Sequence, residues 1–198
     1  MRKIILLGFL TLVSLNGYSQ EKGGFRVGLD FGFVPTGGGG GGMLSIEPKY
    51  NIEDNMNVGL RIGGAGIARD IESNAGGSTT AEISANSSFI GTYDYYLDSG
   101  NSFVPYIGAG LGYYSIANVE FDDSDMESDV VLNPEASGEM GGLVRLGFEW
   151  GKFRMGVEYN FIPDSTLQNN NGDSIGTVSN SYAGIHLGFF LGGGKWGK

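Results

Sequence analysis

Between residues 24 and 34 the chain alternates strictly: Phe25, Val27, Leu29, Phe31 and Phe33 are apolar, while Arg26, Gly28, Asp30 and Gly32 between them are charged or small. Successive side chains of a β-strand point to opposite faces, so a period of two predicts a strand with one apolar and one polar face. The pattern recurs along the chain. Leu44, Ile46 and Tyr50 stand against Ser45, Glu47 and Lys49, and Met56, Val58, Leu60 and Ile62 against Asn57, Gly59, Arg61 and Gly63. Phe89, Tyr93 and Tyr95 oppose Ser88, Thr92 and Asp94, and Ile107, Ala109, Leu111 and Tyr113 oppose Tyr106, Gly108, Gly110, Gly112 and Tyr114. Next, Met140, Val144, Leu146, Phe148 and Trp150 alternate with Glu139, Gly141, Leu143, Arg145, Gly147 and Glu149. Phe153, Met155, Val157, Tyr159 and Phe161 alternate with Arg154, Gly156, Glu158 and Asn160. Last come Ala183, Ile185, Leu187, Phe189 and Leu191 against Tyr182, Gly184, His186, Gly188 and Phe190.

The segments between these strands alternate in length. Pro35 and the glycines through Gly42 read as a flexible loop, residues 51–55 as a short polar turn, and the stretch to about Glu82 as a longer polar connection. Residues 97–102 turn the chain again, and an acidic segment occupies about residues 117–137. Gly151-Lys152 predicts a two-residue hairpin turn, with glycine where a type II′ turn needs it. A loop rich in Asn and Asp covers residues 162–178. Long connections at one end and tight turns at the other predict an all-β, eight-stranded antiparallel up-and-down barrel.

Which face looks outward follows from the company the charges keep. The faces carrying Arg, Asp and Glu also carry the glycines, so they belong where space is short; the faces of uninterrupted Phe, Leu, Ile and Val then meet an apolar medium. A soluble barrel has the opposite polarity. Strands of about nine to eleven residues suffice to cross a bilayer at a tilt, and a transmembrane β-barrel is predicted.

Composition sharpens this picture at the N-terminus. Arg2 and Lys3 precede an apolar run over residues 4–13, with Gly17 and Ser19 set three and one residues before a cut ahead of Gln20. That layout predicts a secretory signal peptide over residues 1–19 and a barrel domain over 20–198, because the run is too short to span a membrane as a helix. No separate periplasmic domain is expected after the last strand. The chain has no cysteine, which excludes disulfides, thiolate metal sites and lipidation of a mature N-terminal Cys. The net charge of −10 becomes −12 once Arg2 and Lys3 leave. Seven acids, Glu120, Asp122, Asp123, Asp125, Glu127, Asp129 and Glu135, lie in one stretch without a basic residue, and nucleic acid is not an expected partner.

Two stretches carry a resemblance to a known family. Pro105-Tyr106-Ile107-Gly108-Ala109-Gly110-Leu111-Gly112 is similar to the Pro-Tyr-x-Gly-x-Gly-x-Gly strand of the small eight-stranded outer-membrane β-barrels of Gram-negative bacteria, the group that includes the transmembrane domain of outer membrane protein A and its adhesin-like relatives. Tyr182-Ala183-Gly184-Ile185-His186-Leu187-Gly188-Phe189 resembles the C-terminal signal read by the barrel-assembly machinery, although this chain runs on to Lys198 rather than ending on an aromatic residue. The resemblance implies residence in the outer membrane of a Gram-negative bacterium, contact with outer-membrane lipid, and dependence on that machinery during biogenesis. It implies no cofactor.

The candidate chemistry is mostly internal. The inward charges nearly balance, with Arg26, Lys49, Arg61, Arg145 and Arg154 against Asp30, Glu47, Asp94, Glu139, Glu149 and Glu158. If Trp150 pairs with Phe153, Glu149 falls opposite Arg154 and Arg145 opposite Glu158, which predicts two stacked ion pairs on one hairpin. Such an interior makes a plug, not a wide pore. His186, the single histidine, suggests catalysis, yet it points inward and no matched nucleophile accompanies it, so a structural role is expected. The glycines of residues 108–112 lack the following helix of a phosphate loop, and those of residues 37–42 lack its Lys-Ser/Thr. Asp122, Asp123, Asp125, Glu127 and Asp129 offer oxygens to a divalent cation, but without the glycine and closing glutamate of an EF-hand a solvated acidic loop is the simpler expectation. The expected function is a non-enzymatic structural or surface-interaction barrel whose surface ligand the sequence does not name. A narrow channel for small solutes and a lipid A-modifying enzyme are the alternatives.

Overall fold

The computed structural model describes residues 22–36, 39–72, 79–97, 102–121, 137–168 and 174–193. The expected signal peptide and the acidic run containing Asp122, Asp123, Asp125, Glu127 and Asp129 lie outside the described residues. The strands are β1 (Phe25–Thr36), β2 (Gly39–Glu53), β3 (Met56–Glu72), β4 (Thr79–Tyr96), β5 (Phe103–Phe121), β6 (Ser137–Trp150), β7 (Phe153–Phe161), β8 (Ser165–Gln168), β9 (Ser174–Val178) and β10 (Tyr182–Gly192). Eight of them close into an antiparallel barrel in the order β1-β10-β7-β6-β5-β4-β3-β2, and β8 with β9 forms a separate two-stranded sheet in the connection between β7 and β10.

Closure removes the edges that an open sheet would leave in lipid, where unpaired backbone groups have no water to bond. Burial follows the alternation strand by strand: along β7 and β10 every second residue is buried and its neighbour exposed. The exposed set is apolar, with Leu111 73%, Trp150 64% and Met140 61% accessible, while Arg26, Glu47, Lys49, Asp94 and Glu149 are at most 1% accessible. This inverts the polarity of a soluble protein and matches that of a barrel built for an apolar outer solvent. Aromatic rings pair on the outside, with Phe103 stacked on Phe148 at 4.7 Å between centroids and Tyr159 edge-on to Phe161 at 4.6 Å.

The two-residue turn stands where it is expected: Trp150 pairs with Phe153 and Gly151 has φ +61°, the left-handed conformation that glycine adopts without penalty. Four connections differ from expectation. Gly39, Gly40, Gly41 and Gly42 are not loop but the start of β2, paired with Thr36, Pro35, Val34 and Phe33, so β1 and β2 are joined by residues 37 and 38 alone. The polar stretch after Gly63 is strand on both sides, since β3 and β4 stay paired out to Glu72 and Thr79. Strand β5 extends through Phe121 into the segment expected to be an acidic loop. The loop at 162–178 contains the β8–β9 hairpin. In each case regular pairing satisfies the backbone even where side chains are small or polar, so hydrogen bonding, not side-chain pattern, sets the strand ends.

Candidate functional site

The barrel interior falls into two zones. Toward the tight turns it is charged, and toward the loops it is apolar. The register places Glu149 opposite Arg154 and Arg145 opposite Glu158, and all four side chains are buried inside. The ion pairs expected between those opposite residues are not the arrangement found. Arg145 instead reaches across the lumen, donating from Nη2 and Nη1 to Glu47 Oε1 and Oε2 at 2.7 and 3.1 Å, and from Nε and Nη2 to Asp94 Oδ1 and Oδ2 at 2.8 and 2.9 Å. Glu149 takes both guanidinium nitrogens of Arg26 at 2.8 and 2.9 Å, and Arg154 Nη1 lies 3.1 Å from Glu47 and 3.6 Å from Asp30. Glu158 accepts from Arg61 Nη2 and Asn160 Nδ2, each at 2.9 Å. The reason is reach. Cross-strand neighbours point the same way into a narrow eight-stranded barrel, so a long guanidinium arrives end-on at the opposite wall sooner than it folds back along its own.

Glu47 is the hub. Besides Arg145 and Arg154 it accepts a bond from Thr92 Oγ1 at 2.6 Å and lies 3.2 Å from Lys49 Nζ, which also pairs with Asp94. Among the described residues the buried cations Arg26, Lys49, Arg61, Arg145 and Arg154 equal in number the buried anions Asp30, Glu47, Asp94, Glu149 and Glu158. Glu139, expected with the inward set, is half-buried near the loop end. The glycines opposite these charges make the room. A Cβ on Gly108 would collide with the Asp94 carboxylate and come within 3.0 Å of Arg145 Nε, and one on Gly156 would meet Tyr106 OH at 2.8 Å and His186 Nε2 at 2.9 Å.

His186 belongs to a buried relay. Arg154 Nε is 3.1 Å from Tyr106 OH, Tyr106 OH is 3.1 Å from His186 Nε2, and His186 Nδ1 is 3.3 Å from Glu158 Oε2. Because Arg154 can only donate, the Tyr106 oxygen accepts from it. A Tyr106 proton directed at His186 Nε2 calls for the tautomer protonated on Nδ1, the nitrogen that faces the Glu158 carboxylate without a well-directed hydrogen bond. Among the described residues no group of three or more His, Asp and Glu side chains is placed to hold a metal.

The apolar zone was not expected. Val34, Met43, Ile67, Ile90, Ile116, Leu143, Ile162 and the rings of Tyr114 and Tyr182 point inward and cluster at the loop end. Many of them alternate with polar residues or glycine, as Ile90 does with Ser88 and Thr92 and Leu143 with Gly141 and Arg145, so a period-two reading assigns them to a polar face by phase but gives no hint that they gather at one level. The signal that could have found them was the inward phase of Leu143, Ile90 and Ile116 considered together.

The sequence matches the family described as the outer membrane protein beta-barrel domain over residues 5–189. Among solved structures, the fold is similar to that of the outer membrane protein OprG from Pseudomonas aeruginosa, with a TM-score of 0.53 and 14% identity over 88% of this chain and 98% of that one. The N-terminal β-barrel domain of Pseudomonas aeruginosa OprF also aligns, with a TM-score of 0.44 and 13% identity over 85% of this chain and 98% of that one. No curated protein matches the sequence significantly.

Proposed function

Since the chain belongs to the outer membrane protein beta-barrel domain family, we propose that it is an integral, non-conducting barrel of a Gram-negative outer membrane, with a structural or surface-interaction role exercised at its loop end. The observation that carries this reading is the filled interior: a charge-balanced cross-lumen network about Glu47 and, in series with it, a plug of packed apolar side chains. An ion crossing the barrel would have to displace Arg145 from two carboxylates and then pass a stretch walled mostly by apolar side chains, with Asn86 and Asn160 among them. The same observation weighs against catalysis. His186 is enclosed by Tyr106 and Glu158 at 2% accessibility, where no lipid substrate reaches it. A cleaved signal peptide, outer-membrane lipid as the surrounding medium and the barrel-assembly machinery as the route of insertion complete the proposal.

The test is conductance. Purified protein folded in detergent and added to planar bilayers should leave the current at baseline, with folding verified by the mobility of the unboiled form on a gel. A steady, ohmic conductance from the folded form would overturn the closed reading in favour of a narrow channel.

A further inference from the structure

Every pair of neighbouring strands in the barrel but one follows in chain order, so a connection ties the two strands together at one end. The exception is the seam between β1 and β10, the first and last strands. Bringing the two ends of a long chain together costs more entropy than closing a short turn, so this seam has the most to gain from a device that holds it. An open seam would leave unpaired backbone in hydrocarbon.

Both chain ends meet at one residue. Asn51 on β2 is fully buried. Its backbone carbonyl accepts from Gly23 N at 2.8 Å and its backbone N–H donates to Gly24 O at 2.9 Å, just before β1 begins. Its side-chain Nδ2 donates to Gly193 O at 3.4 Å, just after β10 ends. To reach β2 the segment leaving β10 has to cross β1, and it passes over Arg26, where a Cβ on Gly193 would lie 2.7 Å from Arg26 Cβ. The β6–β7 turn holds the same end from the other side, since Lys152 Nζ donates to Gly192 O at 2.8 Å and Lys152 O accepts from Phe190 N at 3.1 Å. Lys22 adds to the N-terminal side, with its backbone N donating to Asp54 Oδ1 at 2.9 Å.

The backbone bends that deliver both ends to Asn51 need glycine. Four glycines have positive φ among the described residues, and three stand here: Gly23 at +84°, Gly192 at +77° and Gly193 at +60°. A residue with a Cβ is penalised in that region, so the approach of each end is encoded locally, apart from the ladder itself. We propose that Asn51 is a clasp that holds the start of β1 and the exit of β10 together, keeping the β1–β10 seam closed at the tight-turn end. Without the clasp, the seam is where the barrel opens first. The clasp acts whether or not the barrel conducts.

Hydrogen exchange read by mass spectrometry tests this on the full chain folded in detergent. Asn51→Leu keeps the bulk of the side chain and removes its amide. It should raise exchange several-fold in peptides around Val27 and Leu191, which pair across the seam, and leave peptides around Leu60 and Gly91 in the β3–β4 ladder near the rate of the unsubstituted protein. Gly193→Val, outside every strand, should give the same pattern, and it carries the test if Asn51→Leu does not fold. Thr92→Val, which removes a buried hydroxyl bonded to Glu47, should show no preference for the seam. Exchange that rises equally in all strands of a clasp variant, a seam that keeps the unsubstituted rate, or the same seam preference in Thr92→Val would overturn the proposal.

Discussion

At the scale of single residues, the interior charges act as partners whose loss is unequal in consequence. Arg145 lies between Glu47 and Asp94, so Arg145→Ala leaves two buried carboxylates facing each other, with Lys49 as their nearest remaining common partner. Removing one member of a buried pair costs about 3 to 5 kcal/mol, and Arg145→Ala is expected at or above the top of that range. Adding Glu47→Gln and Asp94→Asn to the same chain should recover much of the loss, because the uncompensated charges go with the cation. Urea unfolding of the protein in lipid vesicles measures both. Arg154→Ala should also destabilise, shown by a lower temperature at which the unboiled folded band is lost on a gel, since Glu47 and Asp30 both face it. The relay through Tyr106 makes a separate prediction. Nitrogen-15 spectra of the folded protein at neutral pH should show His186 as the Nδ1-protonated tautomer, and the Nε2-protonated form would mean that the Tyr106 oxygen accepts from His186 as well as from Arg154.

At the scale of strands, what the sequence revealed depended on contrast between the two faces. Strands β7 and β10 pit Phe, Met, Val and Leu against Arg, Glu, His and Gly, and their phase and the register of the β6–β7 hairpin could be read directly. Contrast vanishes in the loop-proximal part of β3, where Gly64 and Gly66 face out while Ala65 and Ile67 face in, and that region reads as a polar connection although it is strand. The glycines of β2 read as loop for the same reason, since a residue without a side chain has no phase. Partners across the lumen were illegible for a different reason: they depend on barrel diameter and side-chain reach, which no cross-strand register encodes. The glycines themselves divide by direction, and substitution exposes the division. Gly156→Ala, whose Cβ would lie 2.8 Å from both Leu146 O and Tyr106 OH, should cost about 1 to 3 kcal/mol, whereas Gly66→Ala, with no atom within 4 Å, should be neutral or slightly stabilising. Equal effects in the same vesicle unfolding experiment would remove the argument that inward glycines exist to admit the charged side chains.

At the scale of the whole molecule, the proposed non-conducting reading implies two closures in series that work by different physics. The network about Glu47 would block by occupancy, because charged groups held on opposite walls fill the lumen, and the mostly apolar zone would block by solvating an ion poorly. Resistances in series add, so opening either closure alone leaves the other in control. Ile90→Ser with Leu143→Ser makes the apolar zone wettable without touching Arg145, and planar-bilayer current should stay at baseline. Arg145→Ala with Glu47→Gln and Asp94→Asn loosens the network beneath an intact apolar zone, and the current should again stay at baseline. Only the combination of all five substitutions should produce discrete ion-conducting events. Conductance from the apolar-zone variant alone would show that the charged network is already permeable, and the apolar residues would then be the sole barrier between the two ends of the barrel.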